Sequence, residues 1–82
     1  MATIKYKWQP GTGEAVEVLL FGTGLTYRVL LSRDTLGFVE YHQLYGWRWQ
    51  RAGHAEQRGS RLATRDCAVS ALMFALRQEG KV

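Results

Sequence analysis

Few side chains in this 82-residue chain are suited to covalent or metal chemistry, and they are dispersed. Cys67 is the single cysteine, and His42 and His54 are the two imidazoles. These three residues and Glu56 are all possible zinc ligands, but no close ligand pair such as CxxC or HxxxH supports a zinc site. Cys67 lies one turn into a predicted helix, where the dipole favours a thiolate, but its neighbours on that face are apolar. We expect an inert, packed thiol, no metal, no cofactor and a protein that is not an enzyme.

Arginine is the other residue type in this chain that is suited to binding a ligand. Residues 48–65 contain five arginines and one acid, Glu56, whereas the charges of the remaining residues balance. Guanidinium groups bind phosphate and carboxylate through two parallel hydrogen bonds and stack on flat rings. Such a segment attracts nucleic acid, acidic protein surfaces or anionic lipid, or else forms the solvated rim of a mildly basic protein. The candidate nucleic-acid-binding residues are Arg48, Arg51, Arg58, Arg61 and Arg65.

Aromatic rings accompany the first arginines in QLYGWRWQR, residues 43–51. Strand alternation predicts one face with Tyr45, Trp47, Trp49 and Arg51, and an opposite face with Arg48 and Gln50. Exposed rings would stack unpaired bases, whereas inward rings would cover a core. An apolar helix later in the chain needs a surface to pack on. This need favours inward rings, so we expect Trp47 and Trp49 to lie against the core. Arg48 then faces outwards.

The elements that position these residues are predicted to form an α+β fold. Residues 1–13 form an N-terminal arm or edge strand, and residues 14–82 form a single domain. Apolar runs recur at intervals typical of an antiparallel meander. We expect a sheet of four or five strands with one C-terminal helix packed on one face.

Glycines mark the predicted turns. Gly22 and Gly24 favour a tight hairpin, because glycine adopts positive φ without steric cost. The stretch SRDTLG, residues 32–37, predicts a second turn that Gly37 closes. Gly46 interrupts the aromatic strand that follows.

The C-terminal helix is predicted over about residues 65–79. Thr64 is its N-cap, and Gly80 ends it. One broad stripe must pack on the sheet, and it comprises Ala68, Val69, Leu72, Met73, Ala75 and Leu76. A wet ridge comprises Asp66, Ser70 and Arg77.

A second, smaller apolar face of this helix comprises Cys67, Ala71 and Phe74. One small sheet cannot bury both helix faces. Either residues 1–8 cover the second face, or it meets another chain, and a homodimer is one such arrangement. Cys67 and Ala71 would then allow close approach, with Phe74 as the anchor of the interface.

Composition also restricts the compartment. A single cysteine excludes an internal disulfide framework. No apolar run approaches 18 residues, and residues 1–13 lack the apolar core of a signal peptide. We expect a cytoplasmic protein without membrane association.

Residues 46–78 resemble a known DNA-binding family. The order GWRWQ, a turn at AGHAEQRG and then RLATRDCAVSALMFAL is similar to the arm-type DNA-binding domains of tyrosine integrases and to the related plant ethylene-response-factor domain. Both are three-stranded sheets backed by a helix. The resemblance implies that outward strand side chains, commonly Arg and Trp, contact DNA. Those domains usually carry a polar outer helix face, whereas this chain has Cys67, Ala71 and Phe74 there.

The sequence therefore supports two classes of function. The leading hypothesis is a small, basic, non-enzymatic module that binds nucleic acid through the arginine-rich segment. The alternative is a protein-interaction or inhibitor module of phage or mobile-element type. In that case the arginines meet an acidic protein surface, and the second helix face contacts the protein partner.

Overall fold

The computed structural model describes residues 2–11, 13–80 and 82, which form six strands and one helix. The strands are β1 (Ala2–Trp8), β2 (Val16–Gly22), β3 (Thr26–Leu31), β4 (Asp34–His42), β5 (Gly46–Arg51) and β6 (His54–Leu62). The helix is α1 (Arg65–Gln78). The predicted α+β class is confirmed.

The sheet is an open antiparallel meander in which spatial order equals sequence order, β1 to β6. Its topology is as predicted, but it has six strands where four or five were expected. β1 pairs with β2 from Ala2 to Trp8, so residues 2–8 form an edge strand of the sheet. Gly46, at φ 66°, begins β5 directly after the turn that follows β4, so the stretch 43–51 consists of that turn and the whole of β5.

Two predicted turns have different outcomes. The hairpin between β2 and β3 is confirmed, with Gly24 at φ 104° and the Thr23 N–H donating to the Thr26 carbonyl at 3.1 Å, but Gly22 lies at the end of β2 without a positive φ. The next turn begins where predicted but is shorter, because Ser32 takes the left-handed conformation at φ 56° and β4 already starts at Asp34. Gly37 closes no turn; it lies buried within β4.

Gly37 instead lies at a tight contact between the sheet and the helix side chain Leu72. A Cβ at this position would lie 2.4 Å from the Gln50 carbonyl oxygen and 2.9 Å from a Leu72 methyl carbon. Only glycine fits between the helix and the neighbouring strand without displacing one of them. The lack of a side chain at Gly37 therefore determines how closely Leu72 packs on the sheet.

The core lies between α1 and one face of the sheet. Strands contribute Trp8, Val18, Leu20, Tyr27, Val29 and Val39 to it, and the helix contributes Ala68, Val69, Leu72, Met73 and Leu76. All but one residue of the predicted apolar stripe are buried, and Ala75 is half-buried. Burial of this apolar surface, at about 25 cal/mol per Å², drives the helix onto the sheet.

The helix termini follow their capping residues. Thr64 is extended, and its hydroxyl accepts a hydrogen bond from the Cys67 N–H at 3.1 Å, as an N-cap does. Glu79 is the C-cap, and Gly80 follows at φ 75°. The predicted helix is confirmed to within one residue at its C-terminal end.

The N-terminal strand covers part of the second helix face. The Trp8 ring is 2% exposed and meets the Phe74 ring edge-on, with centroids 5.0 Å apart. Its indole N–H donates to the Ser70 hydroxyl at 3.2 Å, and the Arg77 guanidinium lies 5.7 Å from its centroid. The predicted wet ridge is therefore wrong for Ser70 and Arg77, which pack against Trp8.

The rest of that helix face remains accessible in the single chain. Ala71 is half-buried and Phe74 is 48% exposed. Cys67 is exposed, so the expected packing of its thiol is wrong. Contact with another chain through these three residues stays a prediction. Within the described residues, no helix has the length and apolar character needed to cross a bilayer.

Candidate functional site

The face of the sheet opposite α1 exposes two phenylalanine rings. Phe21 lies between the buried residues Leu20 and Gly22 in β2, so alternation turns its ring away from the core. Phe38 follows Gly37, whose missing Cβ would point at Leu72, so Phe38 also points away from the helix. The rings of Phe21 and Phe38 are 39% and 40% exposed. We call this surface the helix-free face.

The strand registers align these rings with basic residues. Phe21 pairs with Arg28, Arg28 with Phe38, Phe38 with Gln50, and Gln50 with Arg58. Thr3 of β1 lies opposite Phe21 and extends the line to the first strand. All six side chains are exposed. We call them the cross-strand row: Thr3, Phe21, Arg28, Phe38, Gln50 and Arg58.

A shallow groove of about 540 Å³ occupies the β4–β6 side of this face. Its lining includes Phe38, Glu40, Arg48, Gln50, Arg58 and Ser60. Arg48 lies opposite Glu40 and forms an ion pair with it. The two side chains are 39% and 40% exposed, so water screens the pair and it contributes little to stability.

Positive charge predominates along the cross-strand row. Arg28 and Arg58 belong to it, and in the described strands it contains no acidic residue. Among the described residues, neither Arg28 nor Arg58 forms an ion pair with an acidic side chain. Lys5, exposed on β1, adds a further positive charge beside the row. This face is suited to a flexible anion that also has flat apolar groups.

Arg51 is not part of that surface. Alternation turns it toward the helix, where it is 6% exposed and forms an ion pair with Glu79 at the helix C-cap. It also donates to the Gln57 side-chain oxygen at 3.0 Å. Its assignment as a phosphate contact is corrected, because a buried and paired guanidinium cannot reach a ligand on the opposite face.

The Arg51–Glu79 pair links stability to pH. The hydrogen bond from Arg51 lowers the pKa of Glu79 below its ordinary value. A carboxyl group whose pKa is lower in the folded state stabilises the fold above its unfolded pKa, about 4.3. That contribution is lost as the pH falls through the lower folded value.

We expect the melting temperature of the protein to drop on acidification below about pH 4.3, and to drop less in a Glu79→Gln variant. Glutamine keeps the size of the side chain but does not titrate. Thermal unfolding followed by circular dichroism from neutral to acidic pH measures this difference. Glu14→Gln, in an exposed loop, is the matched control. Parallel pH profiles for wild type and Glu79→Gln would contradict the linkage.

Arg61 and Arg65 lie apart from the cross-strand row. Arg61 adopts φ 62° where the register between β5 and β6 shifts, and its N–H donates to the Tyr45 carbonyl. The Arg65 guanidinium lies 5.3 Å from the centroid of Tyr27, a core ring on the helix side, and it pairs with Asp66. Of the five predicted arginines, the structure brings Arg48 and Arg58 together.

The two tryptophans of β5 pack against the core, as expected from alternation. The Trp47 ring meets Tyr41 with centroids 5.7 Å apart. The Trp49 ring lies against Gly59 of β6, where a Cβ would come within 2.3 Å of the indole nitrogen. Both rings are half-buried, and Trp49 also lines the groove beside the more exposed ring of Phe38.

The side chains considered for metal binding are not brought together. His42 stacks with Tyr45, with ring centroids 4.8 Å apart, and its Nδ1 accepts a hydrogen bond from the Leu44 N–H. His54 lies 3.3 Å from Glu56 on the same strand. Throughout the described part of the chain, His, Cys, Asp and Glu form no group of three that would hold a metal ion.

Sequence reasoning missed Phe21, Arg28 and Phe38 as site residues. The arginine-rich segment drew attention to residues 48–65, whereas these three lie on β2, β3 and β4. Alternation around Leu20 and Val29 predicts that Phe21 and Arg28 face outwards. Only the register shows that they are neighbours.

No family model, curated protein or solved structure matches this chain. The resemblance of residues 46–78 to the arm-type domains of integrases therefore stays a prediction. Since a fold can carry many functions, function is inferred from the site itself.

Proposed function

We propose that this protein is a small non-enzymatic module that binds nucleic acid through its helix-free face. The cross-strand row carries the proposal, because it combines two exposed rings with two arginines. Arginine binds phosphate oxygens bidentately, and the helix behind the sheet keeps the row rigid. Arg48 and Lys5 extend the basic surface on either side of the row.

The proposal retains only two of the five arginines that the sequence predicted as direct nucleic-acid contacts. Arg58 contacts phosphate directly, and Arg48 does so once a ligand competes with Glu40. Arg61 and Arg65 act at most through their long-range field, since they lie apart from the row. In the integrase arm-type family, outward strand side chains contact DNA. The outward residues of β4 to β6 are the ones that line the groove here.

We expect Arg58→Ala to weaken nucleic-acid binding and to reduce the slope of log affinity against log salt by about 1, because one phosphate contact is lost. Fluorescence anisotropy titrations of a labelled oligonucleotide over a series of salt concentrations give both quantities. Arg33→Ala is the matched control, since it removes the same charge from an exposed turn. Equal effects of the two substitutions would show only a response to net charge.

Glu40→Gln has the opposite expected sign. It removes the acidic partner of Arg48 and leaves that guanidinium available for phosphate. Affinity should rise, and the salt slope should become steeper by up to about 1. If the wild-type protein binds neither single strands nor duplexes at low salt, the nucleic-acid function is excluded. The protein-interaction alternative then becomes the leading hypothesis.

A further inference from the structure

We propose that the nucleic acid bound on the helix-free face is an unpaired strand, with bases stacked on Phe21 and Phe38. This inference rests on the proposed function and specifies its ligand. Stacking requires a free base face. In a duplex both faces of each base are covered by neighbouring base pairs, whereas an unpaired strand presents them.

The two rings are not needed by the core. The core and the partly buried residues packed against it include Trp8, Trp47 and Trp49 but neither Phe21 nor Phe38. Both rings remain about 40% exposed although polar residues would suit solvated strand positions. Rings that lie outside the core and keep about 40% of their surface exposed are available to pack on a ligand.

The spacing of the row fits alternating ring and phosphate contacts. Phe21 and Phe38 are two strands apart, so their backbones are separated by about 10 Å. Arg28 lies between them on β3 and pairs with both across the ladder. A strand that crosses the sheet along this row places a base on each ring and its linking phosphates at Arg28. Arg58 meets the phosphates that continue past Gln50.

The groove beside Phe38 supplies polar groups for the base that stacks there. Gln50 lies next to Phe38 on β5, and Ser60 lines the groove on β6. An amide and a hydroxyl both donate and accept hydrogen bonds, so they can satisfy the edge of an unpaired base of any type. We therefore expect modest sequence preference.

The test compares a labelled single strand of about 12 nucleotides with a hairpin duplex of the same strand length, by anisotropy at low salt. The single strand should bind at least about tenfold more tightly. Phe38→Leu keeps apolar bulk but removes the ring, and should weaken single-strand binding roughly five- to 150-fold, the value of one base stacked on an aromatic side chain. Duplex binding should stay unchanged. Phe38→Trp should restore the affinity for the single strand.

Two further measurements separate stacking from other causes. A 2-aminopurine base in the oligonucleotide should lose fluorescence on binding to wild type and keep it with a Phe21→Leu, Phe38→Leu double variant. Phe74→Leu, which changes a ring on the helix side, should leave binding unchanged. Thermal unfolding of each variant verifies that the fold is retained.

The outcomes distinguish this inference from the proposed function. If strand and duplex bind equally, and Arg58→Ala weakens both while Phe38→Leu changes neither, nucleic-acid binding stands and stacking is overturned. If Phe38→Leu weakens strand and duplex alike, the ring has no role specific to unpaired bases and the inference also fails. If neither oligonucleotide binds, both proposals fail.

Discussion

Replacing Trp8 with alanine should lower the free energy of unfolding by about 3–5 kcal/mol, the range for truncating a large buried aromatic residue. Trp8 is 2% exposed and contacts the helix at three points, namely Ser70, Phe74 and Arg77. A domain of this size has a total stability of roughly 4–12 kcal/mol. A loss of this size removes about a quarter or more of that stability.

Trp8→Phe is the matched substitution. It keeps an aromatic ring against Phe74 but removes the indole N–H that donates to Ser70. The lost hydrogen bond costs about 1 kcal/mol, so this variant should remain folded. Urea denaturation of both variants measures the two values. A loss below about 1 kcal/mol for Trp8→Ala would show that β1 does not hold the helix.

Gly37→Ala should lower the free energy of unfolding by about 1–3 kcal/mol through overpacking. The added methyl would collide with the Gln50 carbonyl oxygen and with both Leu72 methyl groups, at 2.4, 2.9 and 3.0 Å. The Gln50 carbonyl belongs to the backbone, so it can move aside only if β4 or β5 shifts. Gly11→Ala is the control, because nothing lies within 4 Å of a Cβ there. Its stability should be unchanged or slightly higher, since alanine restricts the unfolded chain.

The Gly37 substitution also tests how the two faces of the sheet are coupled. Phe38 follows Gly37 directly, and its backbone is fixed by the same contact with β5. A shift of β4 would misplace the Phe38 ring relative to Arg28. We expect weaker nucleic-acid binding in the folded fraction of Gly37→Ala, measured at a temperature where the variant remains native. Unchanged affinity in that fraction would show that the two faces are independent.

The helix could be predicted from the sequence because its signals are local. Thr64, the apolar stripe and Gly80 specify its start, buried face and end within one continuous segment. Alternation in β5 is equally local, and it correctly separates Arg48 from Arg51. The charge density of residues 48–65 predicted the binding residues less well, because it does not show to which face of the sheet each arginine side chain points. It grouped Arg51, which is buried under the helix, with Arg58, which is exposed.

The cross-strand row could not be predicted because register is not a local property. A shift of one residue between strands would place Phe21 opposite a different residue and separate it from Arg28. The second turn illustrates the difficulty, because its positive φ is at Ser32 and not at the nearby glycine, Gly37. A turn placed at Gly37 would have misaligned β3 with β4. It would also have removed Phe38 from the face.

The strands lie in the sheet in the same order as in the sequence, and this order also affects the folding mechanism. Each β-hairpin can close over a short loop, so the sheet itself has low contact order and should form quickly. The contact between Trp8 and Ser70 is different, because it joins residues 62 positions apart. Closing so long a loop costs entropy before the contact contributes, so docking of the helix against the first strand should be a late event. Substitutions at Trp8 should then mainly accelerate unfolding and leave the refolding rate nearly unchanged.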